Sequence, residues 1–275
     1  MKKKELENKI AIIIGAAGGI GQKIAELFDQ KGINLVLADL DLDNLSGISN
    51  NLEKTPLLIS CDITNLEQVE NLIAKTIEKH KRIDILVNCV GIIIPSLFEN
   101  TTYDEINKQI NVNLMGTIHC TKEVIPVMKK AGGGHIVTIS SLAGIVPETY
   151  SSIYTATKFA LRGLDWTLNL ELADDNIFVS TIFPDSVDTP MLEYEAKHGG
   201  SPLTFLHDPV PPEDVAEAVL KAILKEKVEV CVPHLDGILS KFIMCMPSQV
   251  KRLWPKYEQK GKENREEFLR NLKNS

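Results

Sequence analysis

The stretch "YSSIYTATK" places Tyr154 and Lys158 four residues apart, with a second tyrosine, Tyr150, just ahead. On a helix, Tyr154 and Lys158 share one face, a turn apart. A free phenol has a pKa near 10, too high for an efficient base at neutral pH. An ammonium one turn away favours the phenolate and lowers that value. Tyr150 has no lysine at the same offset and is the weaker candidate, suited to a pocket wall or the helix start. Ser141 closes the apolar run "HIVTISS" at 135–141. A hydroxyl there could polarise a carbonyl or hold an alkoxide. The three side chains suit proton transfer at a carbonyl or carbinol oxygen without a metal. They need a fold that brings the end of a strand beside the following helix.

The chain supplies such elements. Short apolar runs at 9–14, 33–39, 56–62, 83–91, 135–141, 177–184 and 228–233 read as buried strands. Helical spacing fills 19–32, 66–80, 152–175 and 212–227, with a weaker pattern at 42–54. Residues 102–134 read as one long helix ended by three glycines and distorted at Pro126. This alternation predicts an α/β fold: one Rossmann-like doubly wound parallel sheet of about seven strands, helices on both faces, and a C-terminal helical tail. No repeat or linker divides 1–275, so a single domain is expected. Residues 185–211, rich in Gly, Pro and polar side chains, form a connection long enough for a substrate lid. The extension 234–275 begins apolar and ends highly charged.

"GAAGGIG" at 15–21 lies between the first strand and its helix. Glycines there let the backbone approach a pyrophosphate resting on the helix N-terminus. Two spacings fit at once: Gly15, Gly19 and Gly21 give G-x-x-x-G-x-G, and Gly15, Gly18 and Gly21 give G-x-x-G-x-x-G. A plain tight turn is the alternative. Asp39, ending the second strand, can accept from both hydroxyls of an adenosine ribose and would repel a 2′-phosphate. "ADLDLD" holds no Lys or Arg to offset that repulsion, which predicts NAD(H) over NADP(H). Asp39 could instead cap the next helix, and Asp62, a candidate for the adenine amino group, could do the same. Gly91, in "NCVG", marks backbone passing close to the cofactor; Cys89 reads as a buried apolar side chain rather than a nucleophile. A positive nicotinamide ring would further favour the Tyr154 phenolate.

These residues, with "NVNLMG", "ISSLAG", "YTATK" and "PDSVDTPM" in order, resemble the short-chain dehydrogenase/reductase family over about residues 7–233. The resemblance implies a catalytic set of Asn113, Ser141, Tyr154 and Lys158, with Asn113 helping to hold a water in a proton relay to Lys158. It implies cofactor contacts at Gly15, Gly19, Ile20, Gly21, Asp39, Asp62, Ile63, Asn88, Gly91, Tyr154, Lys158, Pro184, Val187 and Thr189. Lys158 would bond the nicotinamide ribose, and Val187 and Thr189 would meet the carboxamide. The bland alternatives are Ser141 as a turn cap and Asn113 as an ordinary helix residue. The chain departs from the family at Ile14, where Thr is usual, at "NCVG", and at Asp185 after Pro184, which brings negative charge toward the nicotinamide end. Its length, Asn113 and the short region after the last strand favour the shorter oxidoreductase branch over the epimerase/dehydratase-like one.

The expected activity is interconversion of a secondary alcohol and a ketone with NAD, on a hydrophobic or bulky substrate, with Tyr154 as acid/base. An epimerase or dehydratase with recycled NAD and a non-catalytic NAD-binding regulator are the rivals. The pocket beyond Tyr154 is expected to use residues after Ser141, Glu148 and the 185–211 lid. A net charge of −7 without basic, aromatic-interleaved stretches argues against nucleic acid. Five scattered cysteines, with no CxxC pair or His cluster, point to reduced thiols in a cytoplasm and no metal site. The leader "MKKK" is not expected to be a signal peptide, because Glu5 and Glu7 interrupt its charge and a glycine-rich run follows. No run reaches a membrane span of about 18 apolar residues. Leu235, Ile238, Leu239, Phe242, Ile243 and Met246 form a helix-spaced stripe, expected to pack on the core or on another subunit. Its alternative role is a cover over a lipophilic substrate or a peripheral membrane contact. The resemblance implies a homodimer or homotetramer through helices 102–131 and 152–175.

Overall fold

A computed structural model of the chain describes residues 6–274; the charged leader discussed above lies largely outside them. Seven parallel strands form one sheet in the order β3-β2-β1-β4-β5-β6-β7. They are β1 (Ile10–Ile14), β2 (Asn34–Asp39), β3 (Leu57–Ser60), β4 (Ile85–Asn88), β5 (Gly134–Ile139), β6 (Ile177–Pro184) and β7 (Glu229–Val232). Helices α1 (Gly19–Gln30), α2 (Leu42–Ser49), α3 (Leu66–His80), α4 (Tyr103–Ile110), α5 (Gly116–Ala131), α6 (Ser152–Glu171), α7 (Pro190–Lys197), α8 (Pro212–Lys225), α9 (His234–Met244) and α10 (Pro247–Asn274) connect and extend it.

The strand runs are apolar throughout, yet their period of two still sorts them. Ala11, Ile13, Leu35, Leu37, Ile85 and Val87 join Phe28 of α1 and Val219 of α8 in one buried cluster. Ile10, Ile12, Ile14, Val36 and Leu86 join Leu72 of α3 and Val124 of α5 in another. Both faces are thereby covered, as parallel sheets require. Strand order reverses between β1 and β4, so the crevice beyond their C-terminal ends is the place where such sheets bind ligands.

Four expectations change. The 102–134 helix alters its winding at a π-helical segment, Asn111–Met115, well ahead of Pro126. Strand β5 stops at Ile139, so Ser141 stands beyond the strand and caps a 3-10 turn, Leu142–Gly144. The 185–211 connection holds its own helix, α7, with Pro190 in its first turn and Leu192 and Ala196 buried. The tail stripe does not pack on the core: Leu235 is 76% exposed and Phe242 63%. Helix α9 docks instead through Gly237, where an added Cβ would collide with Cys231. That close approach turns the larger side chains outward, and Ile243 alone of the stripe packs on a buried cluster. Helix α10 lies over the 185–211 connection: Phe268 meets Phe205 at 5.7 Å, and Asn264 Nδ2 donates to the Phe205 carbonyl at 2.8 Å.

Candidate active site

The glycine turn is shaped by contacts that exclude side chains. Gly15 has φ +77°, where a side chain is strained, and an added Cβ would reach the Cys89 carbonyl oxygen at 2.9 Å. A Cβ on Gly21 would overlap the Gly15 carbonyl oxygen, and one on Gly19 would lie 2.9 Å from the Thr189 methyl. Gly18 differs: its φ is −73°, and nothing lies closer than 3.4 Å to its added Cβ. Steric demand therefore selects the spacing of Gly15, Gly19 and Gly21. Helix α1 opens here with no side-chain cap and no acid in its first turn. Its N-terminal N–H groups and dipole face the crevice as an anion seat.

Asp39 does not cap α2; Asp41 does, accepting from the Asp43 and Asn44 N–H groups. The Asp39 carboxylate instead accepts the Ala17 N–H at 3.0 Å and the Leu40 N–H at 2.8 Å, which fixes it beside the turn. Asp62 accepts from the Thr64 N–H and hydroxyl, and Asn65 caps α3, so Asp62 is no helix cap either. Ile63 packs on Gly116, and its carbonyl lies 2.9 Å from His119 Nδ1. Asn88 donates to Thr121 at 3.1 Å, while its buried Oδ1 has no partner among the described residues. Uncapped α1, the Cβ-free turn, the anchored Asp39 and this orphaned oxygen fit a dinucleotide lying along the strand ends.

The π-helical segment carries Asn113 inward, where it is fully buried. Asn113 Oδ1 accepts the Ile92 N–H at 2.8 Å; its Nδ2 donates to the Ile92 carbonyl at 2.8 Å and to Thr157 Oγ1 at 3.3 Å. The side chain thus clasps the loop after β4 to α6. An added Cβ on Gly91 would lie 3.3 Å from Lys158 Nζ, so glycine there leaves room for the lysine. Lys158 is 2% exposed, donates to the Ile139 carbonyl at 3.0 Å, and sits 5.4 Å from the centre of the Tyr154 ring. Burial lowers its pKa to about 8. Burial pushes the Cys89 thiol up to about 12, which leaves it inert.

Ser141 Oγ accepts the Ala143 N–H at 3.1 Å, so it is a turn cap, and its hydroxyl stands near enough to the Tyr154 oxygen to favour the phenolate. The two roles are compatible because a hydroxyl both accepts and donates. The Tyr154 phenol is not held low: burial raises its pKa, as do the charges of Glu195 and Glu148, against the favourable Ser141 bond. Tyr154, Ser141, Ile20, Pro184, Val187 and Thr189 line one cavity of about 90 Å³ with Glu148, Asp185, Glu195 and Thr204. Glu195 was not anticipated from the sequence, because a charged residue in a Gly- and Pro-rich connection reads as solvated surface. Its signal was positional: on an eight-residue helix it shares a face with Leu192 and Ala196.

A doubly wound parallel sheet with a glycine-turn anion seat and a Ser-Tyr-Lys cluster at its strand ends defines a nucleotide-binding oxidoreductase class. The family model described as short chain dehydrogenase matches residues 9–199. An uncharacterised oxidoreductase of Staphylococcus aureus (strain MRSA252) is 32% identical over 81% of this chain and 94% of its own length. One from Staphylococcus saprophyticus is 32% identical over 80% and 92%. Among solved structures, a 3-ketoacyl-(acyl-carrier-protein) reductase from Brucella melitensis, complexed with NADH, superposes with a TM-score of 0.76. It is 25% identical and covers 82% of this chain and 97% of its own. A short-chain dehydrogenase from Streptomyces avermitilis has a TM-score of 0.79 at 24% identity, over 90% and 97%. The chain belongs to the short-chain dehydrogenase/reductase family of oxidoreductases. Among the described residues, no helix is long and apolar enough to cross a membrane.

Proposed function

We propose that this chain is an NAD(H)-dependent dehydrogenase/reductase that interconverts a secondary alcohol and a ketone. The observation that carries the proposal is the meeting of Ser141, Tyr154 and Lys158 beside a glycine turn with an uncapped helix N-terminus. A nicotinamide cofactor held by the Gly15–Gly21 turn and Asp39 would supply the hydride acceptor or donor for the carbinol or carbonyl carbon. The residues supply everything else. Tyr154 takes or gives the proton on the substrate oxygen, and Ser141 donates a hydrogen bond to that oxygen. Lys158, charged near neutral pH, stabilises the phenolate and retains donors for the cofactor ribose. Asn113 positions the Ile92 loop beside Lys158 rather than offering free amide groups. Asp39, anchored by Ala17 N–H, supports a preference for NAD(H) over NADP(H).

On this reading Val187 and Thr189, which line the Tyr154 cavity, meet the carboxamide, and residues 185–211 serve as the substrate lid. Exposed Phe159, Trp166 and Leu170 on α6 suit a homo-oligomer contact. A cytoplasmic setting accords with five free cysteines. The test is nicotinamide absorbance across a panel of secondary alcohols and ketones, for the native chain and Tyr154→Phe. The expected result is turnover of at least one class, cut by at least about a thousandfold in the variant. Undiminished turnover in Tyr154→Phe would overturn the assignment.

A further inference from the structure

The cavity that holds Tyr154 is lined by carboxylates from three elements. Glu148 follows the 3-10 turn, Asp185 follows β6, and Glu195 lies in α7. Elsewhere this chain gives its buried carboxylates cations or several hydrogen-bond donors: Asp29 accepts the Glu53 and Lys54 N–H groups, and Asp165 accepts from Thr138 and Thr181. Asp84 binds Lys9 and Arg82; Glu229 binds Arg162 and Lys241. The three at the cavity form no ion pair among the described residues. Glu195, 8% exposed, accepts one hydrogen bond, from Thr204 Oγ1 at 3.3 Å. Asp185 accepts only the Ser186 N–H, with His207 nearby and Asp236 opposing it. An unpaired carboxylate away from water is costly; Glu195 is buried, Glu148 and Asp185 are half-buried, and the Thr204 and Ser186 hydrogen bonds offset that cost only in part.

A second cavity adjoins the first. It measures about 260 Å³ and shares Glu148 and Asp185 with the Tyr154 cavity; apolar groups of Leu142, Val146, Ile243 and Trp254 form much of its remaining wall. The carboxylates thus stand at the junction between the reacting oxygen and an apolar chamber under α9 and α10.

We propose that the substrate is a cationic amphiphile: a protonated amino group next to the carbinol or ketone is held by Glu148, Asp185 and Glu195, and its apolar body fills the chamber under α9 and α10. This rests on the dehydrogenase assignment of Tyr154. The ammonium supplies the missing counter-charge. It also acts on the chemistry, because Glu195 and Glu148 are the charges that oppose ionisation of the Tyr154 phenol. Neutralising them eases formation of the phenolate when the right substrate is present.

The test compares aminomethyl hexyl carbinol with methyl hexyl carbinol, which lacks the amine, and with hydroxymethyl hexyl carbinol, which replaces it by a hydroxyl. The full chain is assayed with NAD, and binding is measured separately by calorimetry without cofactor. The expected kcat/KM for the amine exceeds that for either neutral alcohol by about 30-fold, the scale of a charge-assisted hydrogen bond in a buried site. In Glu195→Gln and Glu148→Gln that ratio should fall below about 5, and a ratio taken within one variant is insensitive to lost folding. Neutral alcohols turned over as well as the amine would overturn the cationic substrate and leave the dehydrogenase assignment standing. Equal preference for the diol would overturn it in favour of polyhydroxyl recognition. An unchanged ratio in both variants would also overturn it. Calorimetric binding of the amine without turnover of any alcohol would support the cation site and count against the dehydrogenase assignment; neither binding nor turnover would overturn both.

Discussion

Around the glycine turn, main-chain polar groups face the crevice, and side chains that would block them are excluded. Around Glu148, Asp185 and Glu195, carboxylates line a cavity with no ion-pair partner among the described residues. The first region is built by steric exclusion over seven residues of one segment. The second is built by electrostatic conflict among residues from three separate elements. Backbone N–H groups recognise a phosphate whatever the surrounding sequence, whereas a set of carboxylates recognises only what can neutralise it.

The sharpest way to break this contrast is Gly21→Ala. A methyl there overlaps the Gly15 carbonyl oxygen, and backbone cannot give way as a flexible side chain can. The expected loss is at least about 3 kcal/mol of stability, together with lost NAD affinity. Denaturant unfolding with and without NAD measures both. Retention of native stability would mean that the turn is looser than described.

A smaller effect is expected at the other region, with opposite sign. Burial raises the Glu195 carboxyl from 4.5 to about 7. Asp185 rises to about 6, and Glu148 is raised as well. A raised acid binds more protons folded than unfolded, so the chain loses stability as pH climbs from the unfolded value toward 7. Glu195→Gln should therefore stabilise the ligand-free chain at pH 8 by of order 1–3 kcal/mol and leave it little changed at pH 4. Melting temperatures across that range decide the sign. A variant less stable at pH 8 would mean that Glu195 is satisfied in the native fold.

Asp39→Asn sharpens the comparison from the cofactor side. It keeps an acceptor for the Ala17 N–H and removes the charge. The ratio of kcat/KM for NAD to that for NADP should fall by about tenfold, from the lost repulsion of a 2′-phosphate. Gly18→Ala is the mildest change. Its φ suits alanine and its added Cβ is uncrowded, so it should cost under about 1 kcal/mol, the scale of an exchanged helix cap.

Much of this was legible in the residues. Tyr154, Lys158, Ser141 and the glycine turn are tied to local structure, a helix spacing or a strand end, so short segments declared them. The position of Asn113 was legible, but its use as a brace between α6 and the Ile92 loop was not, since that depends on a π-helical segment that moves the register inward. For the tail stripe, core packing was the part of the reading that failed, because helical spacing states that a face exists and not which way it turns; Gly237 lying against Cys231 decided that.

The sequence by itself determined the sheet, the glycine turn and the placing of Tyr154 and Lys158 on one helix face. In each case the cause is local: a period of two, a missing side chain, a four-residue offset. Only the tertiary structure decided that Glu148, Asp185 and Glu195 converge beside Tyr154, where burial first, and then the charges of Glu195 and Glu148, raise its pKa. Desolvation and mutual repulsion are properties of an assembled cavity, and no spacing along the chain encodes them.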